Sequence, residues 1–156
     1  MDDAPELRVE RWFNTGGPLT LSALRGNVVL IYAFQMRCYG CVEHAIPQAQ
    51  RAYDSFRGHP IQVVGLHTVF ENHDLMSTDA LAAFIGDNDL RFPIGVDSPE
   101  PGSRIPRTMR AYDMQGTPTL IAIDAQGKRR RQRLGHMPDA ELEGLVNGLL
   151  KEIPAP

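Results

Sequence analysis

Residues 28–34, Val-Val-Leu-Ile-Tyr-Ala-Phe, are apolar on both faces, and no other stretch constrains the fold so strongly. A strand of this kind cannot leave one face in water, which predicts a central strand covered by helices on each side. It leads into Gln35-Met36-Arg37-Cys38-Tyr39-Gly40-Cys41. From Val42 the apolar positions Val42, Ala45, Ile46, Ala49, Tyr53 and Phe56 keep the three-four spacing of an amphipathic helix. Pro47 lies inside that helix and predicts a bend that sets the cysteine-bearing turn apart from the rest.

The chain has 2 cysteines, and both are in this stretch. A Cys-x-x-Cys pair between a buried strand and a helix N-terminus can close a small disulfide ring, and the helix end stabilises an anionic sulfur. Reactive groups of parallel α/β sheets collect beyond the carboxyl ends of the strands, where Cys38 falls. A zinc reading of Cys38-x2-Cys41-x2-His44 stops at three ligands, because no second Cys-x-x-Cys or His pair supplies the fourth. A purely structural disulfide across so short a loop would restrain little of the unfolded chain. The residues therefore point to redox chemistry.

At 156 residues, 42% hydrophobic and 22% charged, the chain fits a single domain over residues 1–156. A formal net charge of -3 gives no general attraction to nucleic acid or an anionic membrane. Thiol or disulfide compounds, protein or small-molecule, and an external reductant are the expected partners. The acidic start Met1-Asp2-Asp3-Ala4-Pro5-Glu6 lacks an apolar signal region, and no apolar run is long enough to span a bilayer. The expected location is cytoplasmic for the chain as it stands, and periplasmic if a leader has been removed.

Residues 1–18 read as an N-terminal extension, with Leu7, Val9, Trp12 and Phe13 before the turn cluster Asn14-Thr15-Gly16-Gly17-Pro18, which predicts a hairpin or loop. Gly58-His59-Pro60 ends the first helix, and residues 61–66 form a second apolar run, so a strand-helix-strand crossover predicts a parallel pair. Residues 67–76 read as a polar loop on the cysteine edge, with His67 as a neighbour of the site. Ser77 caps a helix over residues 78–87. Phe92, Ile94 and Val96 alternate as a short strand, and Ile105, Met109 and Tyr112 mark a short helix whose other face carries Arg104, Arg107 and Arg110. Gly116-Thr117-Pro118-Thr119 precedes an apolar strand, and Asp124-Ala125-Gln126-Gly127 turns it into an antiparallel strand over residues 128–134. The basic run Lys128-Arg129-Arg130-Arg131 reads as protection of a sheet edge rather than a nucleic-acid site. Leu142, Leu145, Val146, Leu149 and Leu150 mark the last helix.

This order of strand, Cys-x-x-Cys, kinked helix, strand, helical insertion, Thr-Pro strand, hairpin and final helix resembles the thioredoxin superfamily over residues 19–150. Leu19-Thr20-Leu21-Ser22-Ala23-Leu24-Arg25-Gly26-Asn27-Val28-Val29-Leu30 is similar to the lead-in of its TlpA-like and redoxin branch, also grouped with alkyl hydroperoxide reductase and thiol-specific antioxidant proteins. The resemblance implies an α/β fold with a central mixed sheet flanked by helices on both faces. It implies a thiol-disulfide oxidoreductase using Cys38 and Cys41, with no cofactor beyond that redox-active pair. It also implies a cis bond at Pro118, with Thr117 and Pro118 as substrate-binding residues, and Tyr39 is a further substrate-binding candidate.

The chain departs from the family where Arg37 replaces the usual Trp, Gly40 the frequent Pro, and Tyr32 the buried Asp of thioredoxins. Arg37, Glu43, His44 and His67 are the candidate modulators, Arg37 through its charge and Glu43 or His44 as a proton acceptor in place of that Asp. A thiol-dependent peroxidase is the alternative reading, although Ile31 and Gln35 stand where peroxiredoxins carry Pro and Thr. A redoxin-like binding module with idle cysteines is the second alternative.

Overall fold

The computed structural model describes residues 2–155, so Met1 and Pro156 lie outside the described residues. A six-stranded mixed sheet runs in the order β1-β4-β3-β2-β5-β6. The strands are β1 (Val9–Phe13), β2 (Val28–Phe34), β3 (Ile61–His67), β4 (Ile94–Asp97), β5 (Thr119–Ile123) and β6 (Arg129–Leu134). β2, β3 and β4 are parallel neighbours, while β1 joins β4, and β5 and β6 extend from β2, antiparallel.

All seven side chains of β2 are buried. Val28, Leu30, Tyr32 and Phe34 face a core made with α1 (Ile46–Ser55), α2 (Thr78–Asp87) and α4 (Asp139–Lys151). Val29, Ile31 and Ala33 face a second core closed by Met109 of α3 (Arg107–Ala111), by Tyr112 and Met114 beyond it, and by the N-terminal segment. Helices therefore cover both faces, as the doubly apolar strand requires, but α3 is short and needs that segment to finish the cover.

The N-terminal hairpin or loop expected from the sequence is instead an edge strand. Val9 and Trp12 pack against the second core, and β1 pairs with β4. A Cβ on Gly95 would come within 2.9 Å of Val9 and 3.1 Å of Trp12, so the bare backbone of β4 is what lets β1 lie there. The pairing was hidden because its partner lies far away in sequence. Tyr112 then donates its hydroxyl to the Pro5 carbonyl at 2.6 Å, fixing the segment to the end of α3.

The basic strand β6 forms the other edge, and the arginines of its run are paired. Arg129 meets Asp2, Arg130 meets Asp124 and Glu152, and Arg131 meets Glu141, which Arg133 also binds. Acidic side chains thus compensate the run along this edge.

Gly65 generates a sharp test of this packing. A Cβ there would lie 2.8 Å from Phe92 Cε2 and 3.1 Å from Ile94, and both neighbours are fully buried. Gly65→Ala should lower stability by about 1–3 kcal/mol, read from the urea midpoint, because the enclosed ring has nowhere to move.

Candidate active site

β2 delivers its carboxyl end to a turn in which the Cys38 N–H donates to the Gln35 carbonyl at 3.0 Å. Cys41 then opens a five-residue π-helical segment, Cys41–Ala45, before α1 begins. Pro47 stands in the first turn of α1, where it has no N–H to give and its ring crowds the carbonyl one turn back. The expected separation of the cysteine turn thus takes the form of a widened turn, in which the Ile46 N–H bonds to the Cys41 carbonyl.

The two cysteines are unbridged thiols in unlike surroundings. Cys38 is half-buried, and its sulfur lies 3.6 Å from the Thr117 carbonyl oxygen. Cys41 has no exposed surface, and its sulfur accepts the Gln35 N–H at 3.5 Å. Burial pushes the Cys41 thiol up to about 12, with the neighbouring Cys38 sulfur adding to the rise. Cys41 is therefore a protonated thiol at neutral pH.

The Thr117–Pro118 peptide bond is cis. Its loop is held by the Thr119 hydroxyl, which donates to the Gly116 carbonyl at 2.7 Å, and by the Gly135 N–H, which donates to the Pro118 carbonyl at 2.8 Å. Gly40 faces the proline ring, 3.5 Å from where its own Cβ would stand. Thr117 and Pro118 are thus beside the cysteines, while Tyr39 projects from the same turn with 77% of its surface exposed. Leu134 is exposed as well, and its Cδ1 lies 3.5 Å from a Cβ built on Gly116.

The modulators divide. His67 lies against the cysteine turn, as the buried last residue of β3 rather than part of a polar loop. Its Nε2 accepts the Met36 N–H at 3.3 Å, and its ring centroid is 5.1 Å from that of Phe34. Arg37, Glu43 and His44 are exposed. His44 packs against His136, with ring centroids 4.9 Å apart, a neighbour that nothing in the local pattern announced. Tyr32, at the position of the thioredoxin Asp, donates its hydroxyl to Gln48 at 3.0 Å, and burial drives its phenol well above the ordinary value. It stays neutral.

Sequence reasoning missed Gln35 as a contributor. It is 2% exposed, and its amide bonds Thr117, Phe70 and Glu71. The one available signal was a lone polar residue between Phe34 and Met36 at the end of an apolar strand. Among the described residues, no group of three or more His, Cys, Asp or Glu side chains is placed to hold a metal ion.

With this geometry in view, the matches to known proteins become specific. The model of the AhpC/TSA family matches residues 1–131. The chain belongs to that family. A thioredoxin-like superfamily protein of known structure is 45% identical, with 99% of each chain covered and a TM-score of 0.94. A thiol-disulfide isomerase from Corynebacterium glutamicum is 44% identical over 97% of this chain and 99% of its own, with a TM-score of 0.92. A thioredoxin-like protein solved in its oxidised form is 26% identical, with 97% of each chain covered and a TM-score of 0.79. No curated protein matches the sequence. The fold is thioredoxin-like, as the resemblance implied.

Burial holds His67 at about 4 instead of its ordinary 6.5. The unfolded imidazole takes up a proton below 6.5 that the folded one resists, so its contribution to stability is intact above pH 6.5 and lost as pH falls towards 4. Asp97, pushed up to about 6 by burial despite its hydrogen bonds from Thr108, Met109 and Thr68, acts in the opposite sense between 3.8 and 6. Comparison with His67→Gln isolates the first effect. The stability gap between wild type and variant should change by roughly 3 kcal/mol between pH 7 and pH 4, measured by urea unfolding across that range.

Proposed function

We propose that the protein is a thiol-disulfide oxidoreductase in which Cys38 attacks and Cys41 resolves. The observation that carries this reading is the asymmetry of the pair. Cys38 reaches solvent beside Thr117, whereas Cys41 is sealed behind it and held as a thiol.

The Cys38 thiolate attacks one sulfur of a substrate disulfide, forming a mixed disulfide and expelling the other sulfur as a thiolate. Cys41 then loses its proton and attacks the Cys38 sulfur. This closes the Cys38–Cys41 disulfide and frees the second substrate thiol, so two electrons pass to the substrate. An external thiol reductant restores the pair. Glu43 and His44, exposed on the π-helical turn, are the side chains proposed to take the Cys41 proton through water.

Thr117 and Pro118 present the backbone against which an extended substrate segment docks, and Tyr39 and Leu134 supply apolar surface beside it. Protein disulfides fit this arrangement, and small disulfides reach Cys38 without it. In a reducing cytoplasm the pair rests as the dithiol and acts as the electron donor. Among the described residues, no helix is long and apolar enough to cross a membrane.

The family's name covers peroxide reduction as well. Here Gln35 occupies the place of the peroxiredoxin Thr with its amide already engaged, and Ile31 is buried in the second core. Gln35 offers a peroxide no hydroxyl to orient it, and Ile31 does not restore the proline, which favours disulfide exchange.

Cys41→Ser should accumulate mixed disulfides through Cys38 when the reduced protein meets a disulfide substrate, and Cys38→Ser should accumulate none. Mass spectrometry of both variants reads the result. Equal trapping by the two, or by neither, would overturn the assignment.

A further inference from the structure

We infer that Gln35 is a positioning residue that ties the Thr117 loop and the loop after β3 to the cysteine turn, and so fixes the backbone on which a peptide substrate docks beside Cys38. The inference rests on the thiol-disulfide reading above and extends it to the selection of extended peptide substrates.

Gln35 meets three separate segments of the chain. Its backbone belongs to the cysteine turn, donating its N–H to the Cys41 sulfur at 3.5 Å and accepting the Cys38 N–H at 3.0 Å. Its side-chain oxygen accepts the Phe70 N–H at 3.2 Å, in the loop that follows β3. Its side-chain nitrogen donates to Glu71 Oε1 at 3.3 Å and to Thr117 Oγ1 at 3.4 Å. Gln35 as a whole is 2% exposed, so these partners stand in for water.

The residue type follows from that inventory. A primary amide carries both an acceptor and two N–H donors at the end of a flexible stem, and each is used here. Glutamate would lose the donors and set a second carboxylate beside Glu71. Methionine fills much the same space but neither accepts from Phe70 nor donates to Thr117.

The consequence is specific to substrate size. The Thr117 carbonyl faces the Cys38 sulfur, and Gln35 Nε2 bonds both Thr117 Oγ1 and Glu71 Oε1, so the Thr117 backbone on which a peptide docks is held against the loop after β3. Gln35 fixes that placement. A small disulfide needs only access to the Cys38 sulfur and does not depend on it.

The experiment compares Gln35→Met with wild type on a disulfide-linked model peptide and on a small aromatic disulfide, 5,5′-dithiobis(2-nitrobenzoate). The ratio of kcat/KM for the peptide to that for the small disulfide should fall about tenfold, mostly through a higher peptide KM, the effect of roughly one hydrogen bond of this strength. Adding Thr117→Val to Gln35→Met should lower the ratio no further, because both changes break the same link. An unchanged ratio, or independent losses that add in the double variant, would overturn the inference. A wild type that exchanges with neither disulfide would instead overturn the reading beneath it, and the inference with it. If Gln35→Met does not fold, Thr117→Val and the surface change Glu71→Ala decide the matter singly. Each should lower the ratio, and no change in either would refute the role of Gln35.

Discussion

Burial of β2 on both faces governs the rest of the structure. With Val28, Leu30 and Phe34 packed under α1, α2 and α4, and Val29 and Ile31 under α3 and the N-terminal segment, each large side chain contributes roughly 1.5–3 kcal/mol. Such a strand can only occupy the middle of the sheet, with β3 on one side and β5 on the other. Its carboxyl end is therefore fixed in depth and direction. Cys38 and Cys41 take their positions from that end.

Polar side chains collect where the strands stop. Gln35 follows β2, His67 ends β3 with Thr68 just beyond it, Asp97 ends β4, and Thr119 begins the antiparallel β5 at the same edge. All five are buried, and each makes at least one side-chain hydrogen bond within the protein. Buried polar groups without partners are costly, so these bonds select one arrangement of the loops that leave the sheet. The apolar core supplies most of the stability, and this polar rim gives the site its shape.

The same burial divides the labour of the two sulfurs. Cys41 begins the π-helical turn and faces the core, where a charged sulfur is unfavourable and the proton is retained. Cys38, three residues earlier in the turn, meets solvent and the Thr117 carbonyl. A pair that is symmetrical in the sequence becomes one sulfur that reaches solvent and one that is enclosed, the asymmetry on which the proposed roles of attack and resolution rest.

What the sequence determined by itself was whatever local pattern encodes: the central strand from residues apolar on both faces, the amphipathic helices from their spacing, and the redox pair from Cys38-x-x-Cys41. Ser77 was legible as a cap because its hydroxyl bonds the Ala80 N–H three residues on. The pairing of β1 with β4, the packing of His44 on His136, the burial of His67 and the bonds of Gln35 to Thr117, Phe70 and Glu71 were decided by the tertiary structure. Each depends on groups distant in the chain, and whether a polar side chain is solvated or enclosed is set by what folds over it. Nothing in the identity of Gln35 or His67 states that outcome; the depth of β2 and β3 in the sheet does.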